Sequence, residues 1–84
     1  MIVFAIGSIT SPDELGPFVD DEMRVVKQLK DDGVIKAVYR RAAGPGTLLI
    51  LEGASIDAIR DRIDTLPFVS EGLMTLEYEE IYEI

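Results

Sequence analysis

The chain contains no cysteine and no histidine. Without cysteine there are no disulfides, no thiolate nucleophile and no thiolate metal site, and cysteine usage says nothing about the redox compartment. Without histidine, imidazole is removed as base, as metal ligand and as a member of a Ser-His-Asp triad. Positive charge is also scarce: eight Lys and Arg face sixteen Asp and Glu, for a net charge of −8. Phosphate backbones and anionic membrane surfaces both call for a basic stripe, so neither nucleic acid nor membrane is an expected partner.

Long apolar runs are missing too, and nothing approaches the ~20 residues of a membrane-spanning helix. The opening Met1-Ile-Val-Phe-Ala-Ile-Gly7 lacks the basic start of a signal peptide and reads as a strand, which makes the cytoplasm the expected location. Gly44-Pro45-Gly46 opens onto a strand, with no helix start and no following Lys-Ser/Thr, so it is a turn and not a phosphate loop. The acids near the C-terminus lack the alternation around a glycine that a calcium loop needs. No cofactor and no metal is expected.

What is present is 84 residues, 48% of them hydrophobic, enough for one domain spanning residues 1–84. A chain this short buries only about 60–65% of its unfolded surface, and oligomerisation is a common remedy. The organising stretch is Val34-Ile-Lys-Ala-Val-Tyr-Arg-Arg-Ala42, a turn cluster over residues 43–46, then Thr47-Leu-Leu-Ile-Leu-Glu52. Two β-type runs around such a cluster predict a hairpin. Residues 2–9 form another strand. Neither this run nor Leu48 to Leu51 alternates, which predicts inner strands covered on both faces.

A loop rich in proline follows the first strand over residues 10–17. Next comes a helix from about Phe18 or Asp20 to Asp32, with Val19, Met23, Val26 and Leu29 on one stripe. Asp20, Asp21 and Glu22 suit its first turn and Gly33 its stop, while Asp31 and Asp32 sit at the end that the helix dipole disfavours. Ser55 is a natural N-cap for a second helix carrying Ile56, Ile59, Ile63 and Leu66, which Pro67 ends. A turn over residues 68–72 leads to a last strand from about Met74 to Tyr82 with one wet side. The order β-α-β-β-α-β predicts an α+β, ferredoxin-like fold: a four-stranded antiparallel sheet of order 4-1-3-2 with two helices on one face. The non-alternating runs then fall in the centre and the charged ones at the edges. Two helices shelter only one sheet face, so the other calls for a second copy in at least a dimer.

From Asp21 to Phe68 the chain is similar to the muconolactone Δ-isomerase family. The residues that carry the resemblance are Asp21-Glu22, Leu29, Gly33, Arg40 with Ala42, Ser55-x-x-Ala58 and Leu66-Pro67. It implies a dimeric α/β-barrel, a ring of such dimers and proton-shifting chemistry on lactones. After the second strand, where the family has a run bearing His, Tyr and Asn, this chain has Gly44-Pro45-Gly46-Thr47.

With Ala42 paired opposite Thr47, Ala37, Tyr39, Arg41, Leu48, Ile50 and Glu52 share a hairpin face. Glu52 would then sit opposite small Ala37 and near Tyr39. A carboxylate in apolar surroundings can accept or deliver a proton, which makes Glu52 and Tyr39 the candidate catalytic pair. Arg40 and Arg41 are the candidate anchors for a substrate carboxylate. The plainer reading has Glu52 ending its strand in water or pairing with an arginine. Lys36, Arg40 and Arg41 form a positive edge, and Glu77, Glu79, Glu80 and Glu83 a negative one that could meet it across an interface. Two functions follow: an isomerase-like binder of a small organic acid or lactone, or a non-catalytic oligomerising or ligand-binding module.

Overall fold

Strand β1 (Ile2–Ile9) runs antiparallel between β3 (Gly46–Glu52) and β4 (Met74–Ile81) in a computed structural model that describes residues 1–84. β2 (Ile35–Arg40) pairs with the far side of β3, so the sheet reads β2-β3-β1-β4. This is the expected 4-1-3-2 order read from the other edge. The two long apolar runs are the inner strands and the charged runs are the edges.

Helix α1 (Val19–Asp31) ends where Gly33 takes a φ of 78°, a left-handed conformation that costs a residue without Cβ little. The Gly33 and Val34 N–H groups then bond back to the Lys30 and Leu29 carbonyls at 3.0 and 2.9 Å. Helix α2 (Ile56–Ile63) starts at Ser55, whose Oγ accepts the Ala58 N–H at 3.0 Å. The turn expected after Pro67 is instead a single helical turn, α3 (Pro67–Ser70), because Pro67 occupies a first-turn position where its missing N–H costs nothing. Short 3-10 turns, Pro12–Glu14 and Gly16–Phe18, punctuate the loop after β1.

The core lies between the helices and one sheet face. Val3, Ala5, Leu49 and Leu51 from the sheet meet Leu29, Ile59, Ile63 and Leu66, each at most 3% exposed. On the opposite face Ile2, Phe4, Ile6, Leu48 and Ile50 are only half-buried in the single chain. The inner strands are therefore covered on one side here, and their other side carries the surface that a second copy was expected to cover.

Three local expectations are corrected. The α1 stripe is turned: Met23 is 63% and Val19 42% exposed, while Glu22 is 7% exposed. Glu22, Val25, Val26 and Leu29 are the residues at helical spacing that face inward. The hairpin register is displaced by two residues, with Arg40 and not Ala42 opposite Thr47. A slip of two keeps every side chain on its face, so the facial assignment from Ala37 onward is unaffected. An irregularity between Ile35 and Ala37 then puts Ile35 opposite Leu51 and Ala37 opposite Ile50. Lys36 is displaced outward by this bulge, and Ile35 fills the core position in its place.

Gly46 joins the turn to β3 with a φ of 151°, and a Cβ there would overlap the Gly7 carbonyl. The turn is thereby held close against β1, where the Ile9 N–H donates to the Pro45 carbonyl at 3.1 Å. That contact fixes one wall of the site described next.

Candidate functional site

α1 and the helix-facing side of the sheet do not close on each other completely. Between them lies a cavity of about 560 Å³, within the usual 300–1,000 Å³ of small-ligand sites. α1 lines it with Glu22, Val26 and Lys30, and the sheet with Val38, Arg40 and Thr47. The turn at Gly44-Pro45-Gly46 and the ring of Phe68 complete the wall. Most of this lining is apolar.

Glu22 is the one buried charged residue of the chain. Its Oε1 accepts the backbone N–H of Phe68 at 2.9 Å, a bond that ties α1 to the first turn of α3. Its Oε2 makes no hydrogen bond within the protein, and Glu22 is among the residues that line the cavity. Burial raises the Glu22 pKa above its ordinary value, and the Phe68 N–H opposes that rise in part. The group is thus held toward its neutral form, with one oxygen fixed and the other available.

Arg40 and Lys30 bring positive charge to the same cavity, and neither has an acidic or hydrogen-bonding partner in the protein. Thr47 adds a hydroxyl, whose one hydrogen bond within the protein is a weak one to the Met74 sulfur at 4.0 Å. An apolar pocket with a protonatable carboxyl and two unengaged cations can hold an organic anion and exchange a proton with it.

Of the four residues singled out from sequence, Arg40 alone lines this cavity. Tyr39, Arg41 and Glu52 lie on the opposite face of the sheet. Glu52 pairs with Lys36 at 3.4 Å, both side chains nearly half exposed, and not with an arginine. Tyr39 is 59% exposed. Arg41 donates to the Ser8 hydroxyl at 3.0 Å. The fold therefore does not gather Glu52 and Tyr39 around a pocket with Arg40, and the two-residue displacement of the hairpin, which puts Ala37 opposite Ile50, is why Glu52 does not sit opposite Ala37.

Glu22 was taken from sequence as a helix-start acid and as part of the Asp21-Glu22 pair in the family resemblance, not as a site residue. Its signal was there: residues 22, 25, 26 and 29 form an i, i+3, i+4, i+7 set, and Glu22 is the only polar member.

A second buried polar group lies outside the cavity. The Tyr78 hydroxyl has no partner, and the Arg60 guanidinium stands 5.0 Å from the ring centroid. Burial first, then the nearby Asp64 carboxylate, pushes the Tyr78 pKa up to about 12, against the opposing pull of Arg60. At neutral pH it stays a protonated phenol and takes no part in proton exchange.

No protein-family model and no curated protein sequence matches the chain. Solved structures do. A crystal structure of muconolactone isomerase superposes with a TM-score of 0.83 at 17% identity, covering 100% of this chain and 91% of that one. The second is 5-chloro-2-hydroxyhydroquinone dehydrochlorinase (TftG) from Burkholderia phenoliruptrix AC1100, in complex with 2,5-dihydroxybenzoquinone. It superposes with a TM-score of 0.74 at 20% identity, covering 98% and 94% of the two chains. The chain has the fold of these proteins: a ferredoxin-like sheet with helices on one face.

Proposed function

We propose that the cavity binds a small organic acid or lactone and that Glu22 carries a proton to or from its carbon framework, as a proton-shifting isomerase of the muconolactone isomerase type. The carrying observation is the buried Glu22 carboxyl in the cavity lining, with Oε1 held by the Phe68 N–H and Oε2 without a hydrogen-bond partner in the protein. In a chain without histidine, a carboxyl of raised pKa is the available group suited to both halves of a proton shift. Arg40 engages the substrate carboxylate with its planar fork. The Glu22 carboxylate takes a proton from one carbon, the pair of electrons moves into the framework, and the same proton returns at another carbon. Isomerisation is the reaction named for one protein of like fold and dehydrochlorination for the other, and removal of a substrate proton serves either.

The working unit in this reading is a homo-oligomer built on face-to-face packing of the sheets. Ile2, Phe4, Ile6, Leu48 and Ile50 make the open face apolar, and single chains seldom leave so broad a patch in water. The charges on that face select the partner and its orientation. Arg41 lies at the β2 edge, and Glu77 and Glu79 at the β4 edge. A two-fold axis along the strands stacks β2 of one copy over β4 of the other and brings these opposite charges together. An axis across the strands would stack like on like.

The test follows muconolactone by ultraviolet absorbance with the native chain and with Glu22→Gln. Turnover is expected from the native protein, with a loss of about 10²–10⁴-fold in the variant. No turnover above buffer, joined to no binding of related lactones or acids, overturns the proposal. Binding without turnover leaves the non-catalytic ligand-binding module as the function.

A further inference from the structure

The two cations of the cavity differ from every other base in the molecule. Arg24, Lys27, Lys36, Arg60 and Arg62 each pair with a carboxylate, and Arg41 is engaged by Ser8. Lys30 and Arg40 are what remains of the eight, and both line the same cavity. In a chain with twice as many acids as bases, two unpaired cations at one apolar pocket are an unequal distribution of charge. Surface lysines and arginines elsewhere on this molecule find acids within reach. These two have been left without any.

Their placement is as informative as their number. α1 leads through the Gly33 turn into β2, so Lys30 belongs to the end of the cavity beside Ile35. Arg40 is at the other end of β2, five strand residues on, a rise of about 16 Å along the strand. Both residues are exposed, at the mouth of the cavity they line. Between the two ends the lining is Val26, Ile35, Val38 and Leu49, which offer no charge. Against these two positive charges the lining offers a single acid, Glu22, whose charged form burial disfavours.

We propose that the ligand of this cavity is a dianion, a dicarboxylic acid or a lactone acid with a second carboxylate, whose two ends are met separately by Lys30 and Arg40 across an apolar middle. This rests on the reading of the cavity as an organic-acid site and adds the number and spacing of the anionic groups. Arg40 meets its carboxylate with two parallel N–H donors, and Lys30 meets the other as a point charge. The strongly acidic remainder of the chain repels anions in general. Affinity then depends on both ends being satisfied together.

Calorimetric titration with succinate, glutarate, adipate, pimelate and suberate, each beside its monomethyl ester, tests this. One length is expected to bind best, and its diacid about tenfold or more tighter than its monoester. Lys30→Gln and Arg40→Gln are each expected to erase that difference, whereas Lys27→Gln, which removes a base already paired with Asp31, keeps it. Circular dichroism of each variant confirms that the fold is retained. Equal binding of diacid and monoester, or a difference that survives both substitutions, overturns the dianion and leaves the organic-acid site standing. Binding of lactones or monoacids with none of the diacids does the same. If nothing in the series binds and muconolactone is neither bound nor turned over, the organic-acid reading falls as well.

Discussion

The two faces of the sheet are built from the same strands and nearly the same residue types, yet only one is dry. Along β1, Val3 and Ala5 are fully buried under the helices, while Ile2, Phe4 and Ile6 on the reverse are half-covered. Two glutamates show the contrast. Glu22 comes to the covered face from α1 and is 7% exposed with a backbone donor on it, whereas Glu52 sits beside Lys36 on the reverse with nearly half its side chain in solvent. The same functional group is thus a candidate proton carrier on one side and half of a surface ion pair on the other. Its surroundings decide the difference, since burial penalises the charged form and water relieves that penalty.

Placing a charge on each face is the most severe way to break this comparison. Leu51→Glu, at a position with no exposure, is expected to prevent folding, with loss of the cooperative transition by circular dichroism. Phe4→Glu, one strand away on the reverse face, is expected to leave the fold intact and convert the oligomer to single chains in sedimentation velocity. An unchanged sedimentation coefficient for Phe4→Glu would mean that the open face has no partner.

A subtler comparison uses the Glu22 pKa. Because folding raises it above 4.5, the folded chain binds this proton more tightly than the unfolded one. The contribution of Glu22 to stability is therefore fully present below about pH 4.5 and is lost as pH rises through the folded value. Gln at this position keeps an oxygen for the Phe68 N–H and cannot ionise. Glu22→Gln is expected to match the native chain most closely near pH 4 and to gain on it as pH rises, reaching a plateau, in urea denaturation across the range. A constant difference at all pH values would remove burial as the cause.

The smallest effect is expected at the other carboxylate. Glu52→Gln breaks an exposed pair with Lys36, and such pairs contribute about 0–1 kcal/mol. Denaturation of this variant should differ from the native chain by no more than that. A larger loss would show that the reverse face is less wet than it is in the single chain.

Much of the fold was legible because it follows from periodicity and punctuation. Gly33 and Ser55 mark helix ends by local chemistry where the sequence places them, whereas Pro67 opens α3 and α2 already ends at Ile63. The non-alternating runs named the inner strands. The site was less legible, because each of its parts depends on a rotation or a displacement. One residue is about 100° around a helix, which is the distance between reading Met23 and reading Glu22 as the inward residue. A two-residue displacement of the hairpin moved Glu52 away from Ala37, and a bulge at Lys36 turned that residue outward. The acids at the end of α1, unfavourable to the helix dipole, are met partly within the helix and partly across the fold. Lys27 pairs with Asp31 at 2.9 Å, and Arg62 of α2 pairs with Asp32.

From the chain alone come the order of elements, the identity of the inner strands, and the exclusion of thiol and imidazole chemistry. These depend on the kinds of residue present and on their spacing, which are properties of the covalent chain. The tertiary structure alone decided which carboxylate is buried, which two cations lack partners, and that both line one cavity. Desolvation and charge pairing are set by distances through space, and residues 22, 30, 40 and 68 acquire such distances only when the helices close onto the sheet.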